Sequence, residues 1–291
     1  MLEKIICATD FTEPSAVAVR YAASLARATR ASLDLIHAWD FVSELPADDR
    51  ASMRQTVIAG SRDACRARLD DVARGLAVHG VKASAALIEG VPEEAIPEYA
   101  TNRGADVLVV GTHASSGLAH ALLGSVAERV LRTSSVPVLV VPANVSVSET
   151  ATFSPKQILV PTDLTPGSGE ALRFAIQLAA GARVATLHVW DVPPYFFEGG
   201  EAIKATEKRV PEHVEEWMDE VFDEEEPSVE SIVRRGEPSE VLAAVCAERD
   251  PDLIVMATAG RAGIAHFMLG SVTERAVRTL GRPVLTLRRE P

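Results

Sequence analysis

The sequence predicts a doubly wound α/β fold, a parallel sheet covered by helices on both faces, built twice in one chain. Three observations predict it. The 291 residues suffice for about two domains at roughly 150 residues each. Asp106–Leu139 aligns with Asp252–Leu285 at a constant offset of 146, with 17 identities in 34 positions and no gap, where chance gives about two. Within each copy, short β-branched apolar runs alternate with longer amphipathic stretches, an order that forces right-handed crossovers and a parallel sheet.

In the first copy Lys4–Thr9, Ser32–Trp39, Lys82–Ile88, Asp106–Val110 and Val136–Val141 are short, rich in Val, Ile and Leu, and mostly without alternation. They are expected to be strands buried on both faces. Between them Ser15–Thr29, Asp49–His79, Pro92–Asn102 and Ser125–Thr133 carry apolar residues at helical spacing, with Ser or Glu near their starts. The second copy places strands near Gln157–Pro161, Val184–Trp190, Val229–Arg234, Leu253–Ala257 and Pro283–Leu287.

The repeat extends beyond its best-matched stretch. Gly90-Val91-Pro92-Glu93 falls on Gly236-Glu237-Pro238-Ser239 at the same offset of 146, His37-Ala38-Trp39-Asp40 on His188-Val189-Trp190-Asp191 at 151, and Thr9-Asp10 on Thr162-Asp163 at 153. So long a period is a duplicated domain, not a solenoid. Asn, Ser, Glu and Thr replace the core pattern between Pro142 and Pro155, which places the domains at 1–144 and 156–291 with 145–155 as a linker. Pro193–Ala205, with Pro193-Pro194 and Gly199-Gly200, reads as an exposed loop or a flap over the strand ends. Glu215–Glu226 reads as a solvated helix face and its end.

Composition narrows the function. Hydrophobic residues at 47% and charged residues at 24% exclude a disordered or fibrous chain. The charge of 29 − 41 = −12 removes any general attraction to nucleic acid or anionic lipid, so an anionic ligand needs a local positive site. Cys7, Cys65 and Cys246 are odd in number and far apart, unlike a disulfide framework or zinc knuckle. Met1-Leu2-Glu3-Lys4 runs straight into an apolar strand without the layout of a signal peptide. With no apolar run near the ~18 residues of a membrane span, the expected location is the cytoplasm.

Ligands of open α/β sheets lie beyond the carboxyl ends of the strands. The first strands end in Thr9-Asp10 and Thr162-Asp163, the fourth in Gly111-Thr112-His113-Ala114 and Ala257-Thr258-Ala259-Gly260. Ten residues after Ala114 and Gly260, Gly124-Ser125 and Gly270-Ser271 each open an amphipathic helix. A glycine and a hydroxyl at a helix start suit an anion, because free backbone N–H groups and the positive end of the helix dipole point outward.

The stretch from Val109-Val110-Gly111-Thr112-His113 to Leu123-Gly124-Ser125-Val126-Ala127-Glu128-Arg129, with its partner Met256–Arg275, resembles the signature of the universal stress protein family. The early Thr-Asp, the His-x-Trp-Asp strand end and the Pro-Val-Leu last strand agree, so the resemblance covers nearly the whole chain and is of the tandem type. It implies two five-stranded flavodoxin-like (Rossmann-like) sheets of order 3-2-1-4-5 and dimer contacts through the last strand. In one branch it also implies ATP held by Gly-x-x-Gly, nine residues, then Gly-Ser or Gly-Thr. Each copy departs from that pattern once: Ala114 replaces the second glycine in the first, Ala257 the first glycine in the second.

Carried over residue by residue, the resemblance implies that Asp163 anchors the nucleoside and Val189 lines the adenine pocket. Gly260, Gly270, Ser271, Val272 and Thr273 would cradle ribose and phosphates, and Arg261 stands beside the phosphates as a cation. The first copy retains Asp10, Gly111, Gly124, Ser125 and Val126, with Ala38 at the adenine position and Ala127 where the second copy has Thr273. The second site therefore ranks first, and its expected ligand is ATP, alone or with Mg.

Plainer readings stand beside these. Gly-Ser before a helix is also an N-cap arrangement, and Asp10 and Asp163 also suit a capped helix entry, near Pro14 and Pro166. His37/His188 and His120/His266 repeat, but without close spacing or a nearby cysteine they read as satisfied histidines rather than metal ligands. No Gly-x-x-x-x-Gly-Lys-Ser/Thr, His-Glu-x-x-His or Gly-x-Ser-x-Gly occurs, and Gly167-Ser168-Gly169 lacks the third glycine of a dinucleotide fingerprint.

Three functions are left open: a stress-response module that binds adenine nucleotide and shows its state to a protein partner, without committed catalysis; a nucleotide-free scaffold; and a slow ATP hydrolase or metal-assisted hydrolase. The last-strand edges Pro137–Val141 and Pro283–Leu287 favour an intrachain pseudo-dimer, with further homodimerisation open.

Overall fold

The computed structural model describes residues 2–40, 51–113, 123–179, 181–191, 200–222, 228–258 and 269–288, with backbone alone at 51–58 and 200–202. The chain divides into two compact units, Met1–Phe153 and Ser154–Pro291.

The N-terminal unit runs β1 (Lys4–Ala8), α1 (Glu13–Thr29), β2 (Ser32–Trp39), α2 (Ala51–Val78), β3 (Lys82–Glu89), α3 (Pro92–Asn102), β4 (Val107–Thr112), α4 (Ser125–Thr133) and β5 (Val138–Pro142). Its strands are parallel in the order β3-β2-β1-β4-β5. The C-terminal unit repeats this with β6 (Gln157–Thr162), α5 (Pro166–Ala179), β7 (Arg183–Trp190), α6 (Gly200–Val221), β8 (Val229–Arg235), α7 (Pro238–Arg249), β9 (Leu253–Ala257), α8 (Ser271–Thr279) and β10 (Val284–Leu287), ordered β8-β7-β6-β9-β10. The winding reverses after the third strand, so right-handed crossovers put the first two helices of each unit on one face and the last two on the other. The last two pack on each other, α3 on α4 and α7 on α8.

Two expectations need correction. The strands are not all buried on both faces: β3 exposes Lys82, Ser84 and Glu89, and β8 exposes Glu230, Ser231, Arg234 and Arg235. In this order the third strand of each unit is an edge strand, and charged side chains there oppose pairing with another chain. The stretch Pro193–Ala205 is not wholly loop, because α6 starts at Gly200; residues 193–199 lie outside the described residues. What carries α6 is its buried stripe of Val210, Val214, Trp217 and Val221 at helical spacing, which its Pro and Gly content hides. Glu215 and Glu216 lie on the exposed face of that helix.

The polar segment after β5 is held on the N-terminal unit. Arg27 donates to the carbonyls of Glu149 (2.7 Å) and Ala151 (2.8 Å), the Phe153 N–H donates to the Ser24 carbonyl (3.0 Å), and Phe153 meets Tyr21 edge-on. Cys7 and Cys246 are buried core thiols; burial raises the Cys7 pKa, and raises that of Cys246 to about 12 against the opposing Arg282 charge. Among the described residues no helix is long and apolar enough to cross a membrane.

Candidate functional site

Parallel strands in register bring the exits of the first, second and fourth strands of each unit to one end. In the C-terminal unit Thr162 pairs with His188, which sets the β6 and β7 exits level. The first turn after the strand is then built by the same bonds in both units. Thr9 Oγ1 lies 3.0 Å from Ser15 Oγ and accepts the Phe11 N–H (3.1 Å); Thr162 Oγ1 donates to Ser168 Oγ (2.9 Å) and accepts the Leu164 N–H (3.0 Å). Asp10 Oδ1 accepts the Thr12 N–H (3.0 Å) and hydroxyl (2.6 Å), as Asp163 Oδ1 does those of Thr165 (3.3 and 2.6 Å).

These bonds hold Phe11 and Leu164 at φ of 63° and 61°, a left-handed conformation that costs an apolar residue on the order of 1 kcal/mol or more. Asp10 is exposed and Asp163 half-buried. Burial works to raise the Asp10 pKa, but the Thr12 hydroxyl, the Ser15 hydroxyl and the Thr12 N–H outweigh it and hold the carboxyl below its ordinary value.

Around each turn opens a cavity of matched construction, about 440 Å³ in the C-terminal unit and about 260 Å³ in the N-terminal unit. Asp163, Val189, Gly270, Ser271, Val272 and Thr273 line the larger. Asp10, Gly111, Gly124, Ser125 and Val126 line the smaller, with Ala38 and Ala127. Gly260 and Arg261, with Ala114, His120 and His266, lie outside the described residues. Pro161, Leu187, Leu242 and Met256 give the larger cavity an apolar slot, and Thr162, Ser168, His188 and Thr258 are also in its lining.

The helix starts supply the polar end. Gly124 and Gly270 are the N-caps of α4 and α8, and neither offers a capping side chain. The Glu274 N–H makes the first bond inside α8, to the Gly270 carbonyl, so the N–H groups of Ser271, Val272 and Thr273 have no partner within the helix. The Gly270 N–H donates to the Thr258 carbonyl (2.8 Å) and the Thr273 hydroxyl to the Ala257 carbonyl (3.2 Å). The hydroxyl proton of Thr273 thus fastens α8 to β9, leaving its oxygen lone pairs for a ligand.

His37 and His188 are satisfied strand histidines. Nδ1 lies 2.7 Å from the Thr9 carbonyl in one and 3.0 Å from the Thr162 carbonyl in the other. A carbonyl only accepts, so each Nδ1 carries the proton and donates. Among the described residues no three His, Cys, Asp or Glu side chains converge as for a metal.

The departures at the first glycine of the motif have a packing account. A Cβ on Gly111 would lie 2.5 Å from the Pro14 carbonyl oxygen and 2.9 Å from the Ser15 nitrogen: the first turn of α1 rests on the end of β4. In the C-terminal unit Ala257 takes that place, and the residue matching Pro14 is Gly167, whose own Cβ would lie 3.6 Å from the Ala257 methyl, an ordinary contact. The Ala257 methyl is thus accommodated beside α5 without any need for Gly167 to lack a side chain. Gly169 similarly lets α6 close on α5, since a Cβ there would meet Val221 at 3.0 Å. In Gly167-Ser168-Gly169, therefore, Gly169 serves packing and Ser168 bonds Thr162.

Sequence reasoning missed Ser15 and Ser168, whose signal was a Thr and a Ser six residues apart in both copies. It also missed Phe11, whose ring lies 4.7 Å from His37 and 4.4 Å from the Arg68 guanidinium of α2. The C-terminal unit has Leu164 there and no such stack among its described residues.

Comparison with known proteins agrees with this architecture. A model of the universal stress protein family matches residues 1–142 and 155–288. A universal stress protein of Mycobacterium tuberculosis is 28% identical over 295 aligned residues, covering 98% of this chain and 96% of that one. One from Methanocaldococcus jannaschii is 34% identical over 144 residues, 48% of this chain and 82% of its own. The crystal structure of a universal stress protein from Archaeoglobus fulgidus superposes with a TM-score of 0.73 at 22% identity, covering 99% of this chain and 98% of that one, and supports the fold.

Proposed function

The chain belongs to the universal stress protein family through both of its halves, and from that premise we propose that it is an adenine-nucleotide-binding regulatory module whose working site is the C-terminal cavity. One observation carries the reading: a cavity of about 440 Å³ joins an apolar slot to the open N–H groups of α8, with Asp163 on its rim. That volume lies within the range of about 300–1,000 Å³ typical of small-ligand sites.

Val189 and the slot take the base, Asp163 the nucleoside, and Gly270, Ser271, Val272 and Thr273 the ribose and phosphates, completed by Gly260 and Arg261. Phosphate at a helix start gains from unpaired donors and the helix dipole together, which an acidic chain needs most. Mg, where present, arrives on the phosphates of ATP. Occupancy, not turnover, is the proposed output, presented to a protein partner around the cavity mouth. The N-terminal cavity, about 260 Å³, falls below the usual range and favours a scaffold role for that unit.

Titration calorimetry of the intact chain with ATP tests this. One nucleotide per chain is expected, and the absence of binding at millimolar nucleotide would remove the reading. Two equal sites would contradict the division of labour between the units.

A further inference from the structure

We propose that Glu237 is a charge filter on the C-terminal cavity: by holding Arg275 in an ion pair at its mouth, it lowers affinity for highly phosphorylated adenylates relative to adenosine. The inference rests on reading that cavity as the adenylate site.

Glu237 is the N-cap of α7, and the next residue, Pro238, is part of the cavity wall. Its carboxylate accepts the Glu240 N–H (2.8 Å) and the Ser239 hydroxyl (3.1 Å), and lies 3.7 Å from Arg275 Nη1. Arg275 stands one helical turn past Ser271 on α8, and helical side chains lean toward the N-terminus of their helix. That lean would bring the guanidinium, once released from Glu237, toward the turn whose N–H groups take the phosphates. The pair joins the two helices that supply one wall of the cavity and its polar end.

Both partners are about half exposed, at 54% and 49%, so the pair is exchangeable rather than locked. Burial would raise the Glu237 pKa, but the N–H groups of Ser239 and Glu240, the Ser239 hydroxyl and Arg275 hold it below its ordinary value, so it is ionised at neutral pH. Among the described residues Asp163 is the carboxylate that lines the cavity, and Glu237 stands next to its wall residue Pro238. A polyphosphate arriving at α8 meets two carboxylates, and the arginine beside it is already neutralised. The duplicate is an internal contrast: the N-terminal unit keeps the arginine, as Arg129, but has Val91 where Glu237 stands. Helix capping alone does not account for a carboxylate that also reaches the neighbouring helix.

Calorimetric titrations of the intact protein with adenosine, AMP and ATP test the proposal. Glu237→Gln keeps an oxygen for the Glu240 N–H and removes the charge. It is expected to tighten ATP about fivefold, AMP less and adenosine not at all, the gain shrinking as salt rises. Arg275→Gln, which leaves Glu237 unneutralised, is expected to weaken ATP relative to adenosine. An unchanged ratio of ATP to adenosine affinity in both variants, or an equal change for all three ligands at every salt concentration, would overturn the filter while leaving the adenylate site standing. Wild-type protein that binds none of the three would overturn the site itself, and the filter with it.

Discussion

Gly111→Ala is expected to cost the N-terminal unit about 3 kcal/mol, the upper end of typical overpacking penalties. The added methyl would lie 2.5 Å from the Pro14 carbonyl oxygen and 2.7 Å from its carbon, and both are backbone atoms, so no side-chain rotation relieves the clash. α1 must lift from β4, carrying with it the turn that Ser15 ties to Thr9. A unit of this size should melt roughly 6–12 °C lower. Because two units seldom unfold as one, hydrogen exchange read separately for each is the suitable measurement, with lost protection confined to β1, β4 and α1. The matched change Ala257→Gly should cost under about 1 kcal/mol, the backbone entropy of one glycine. Equal destabilisation by the two would show that the close approach of α1 to Gly111 is not what separates the units.

Gly270→Val is expected to reduce ATP affinity at least tenfold while the protein stays folded. Gly270 has φ near −60°, which other residues adopt, so the cost is local: a Cβ would stand 3.1 Å from the Thr258 carbonyl oxygen, and a poor N-cap residue replaces glycine at about 1 kcal/mol. The branched side chain would crowd the entry to the Ser271 and Val272 N–H groups. Gly124→Val is the control, since a Cβ there meets nothing within 4 Å and the change lies at the smaller cavity. Calorimetry on both variants, with thermal melts alongside, separates the outcomes. Retained ATP affinity in Gly270→Val would mean that the phosphates rest elsewhere.

Much of the fold was legible because duplication gives two readings of each element. Ser32–Trp39, Pro92–Asn102 and Ser125–Thr133 have the bounds their patterns predict, and the order 3-2-1-4-5 implied by the family resemblance is found in both units. Apolar content does not say which strand lies at an edge, so the exposure of Lys82–Glu89 needed the sheet order. The Gly199-Gly200 pair masked the start of α6, whose buried stripe begins farther along, at Val210.

At the site, the strand exits and helix starts were readable from Thr9-Asp10, Thr162-Asp163, Gly124-Ser125 and Gly270-Ser271, since topology alone brings them to one end. What a glycine faces was not. Gly111 and Ala257 differ in sequence as ligand contacts would, yet what a side chain at Gly111 would meet is the backbone of Pro14 and Ser15 in the adjoining helix. Nor does sequence show that Thr9 reaches Ser15, a contact that exists only once Phe11 takes its left-handed turn.

The most direct test of the account is the electron density of a crystal soaked in excess ATP. The account predicts adenylate in the C-terminal cavity, its phosphates against the Ser271 and Val272 N–H groups and its base in the slot beside Val189. An empty C-terminal cavity, or nucleotide in the N-terminal unit alone, would contradict it.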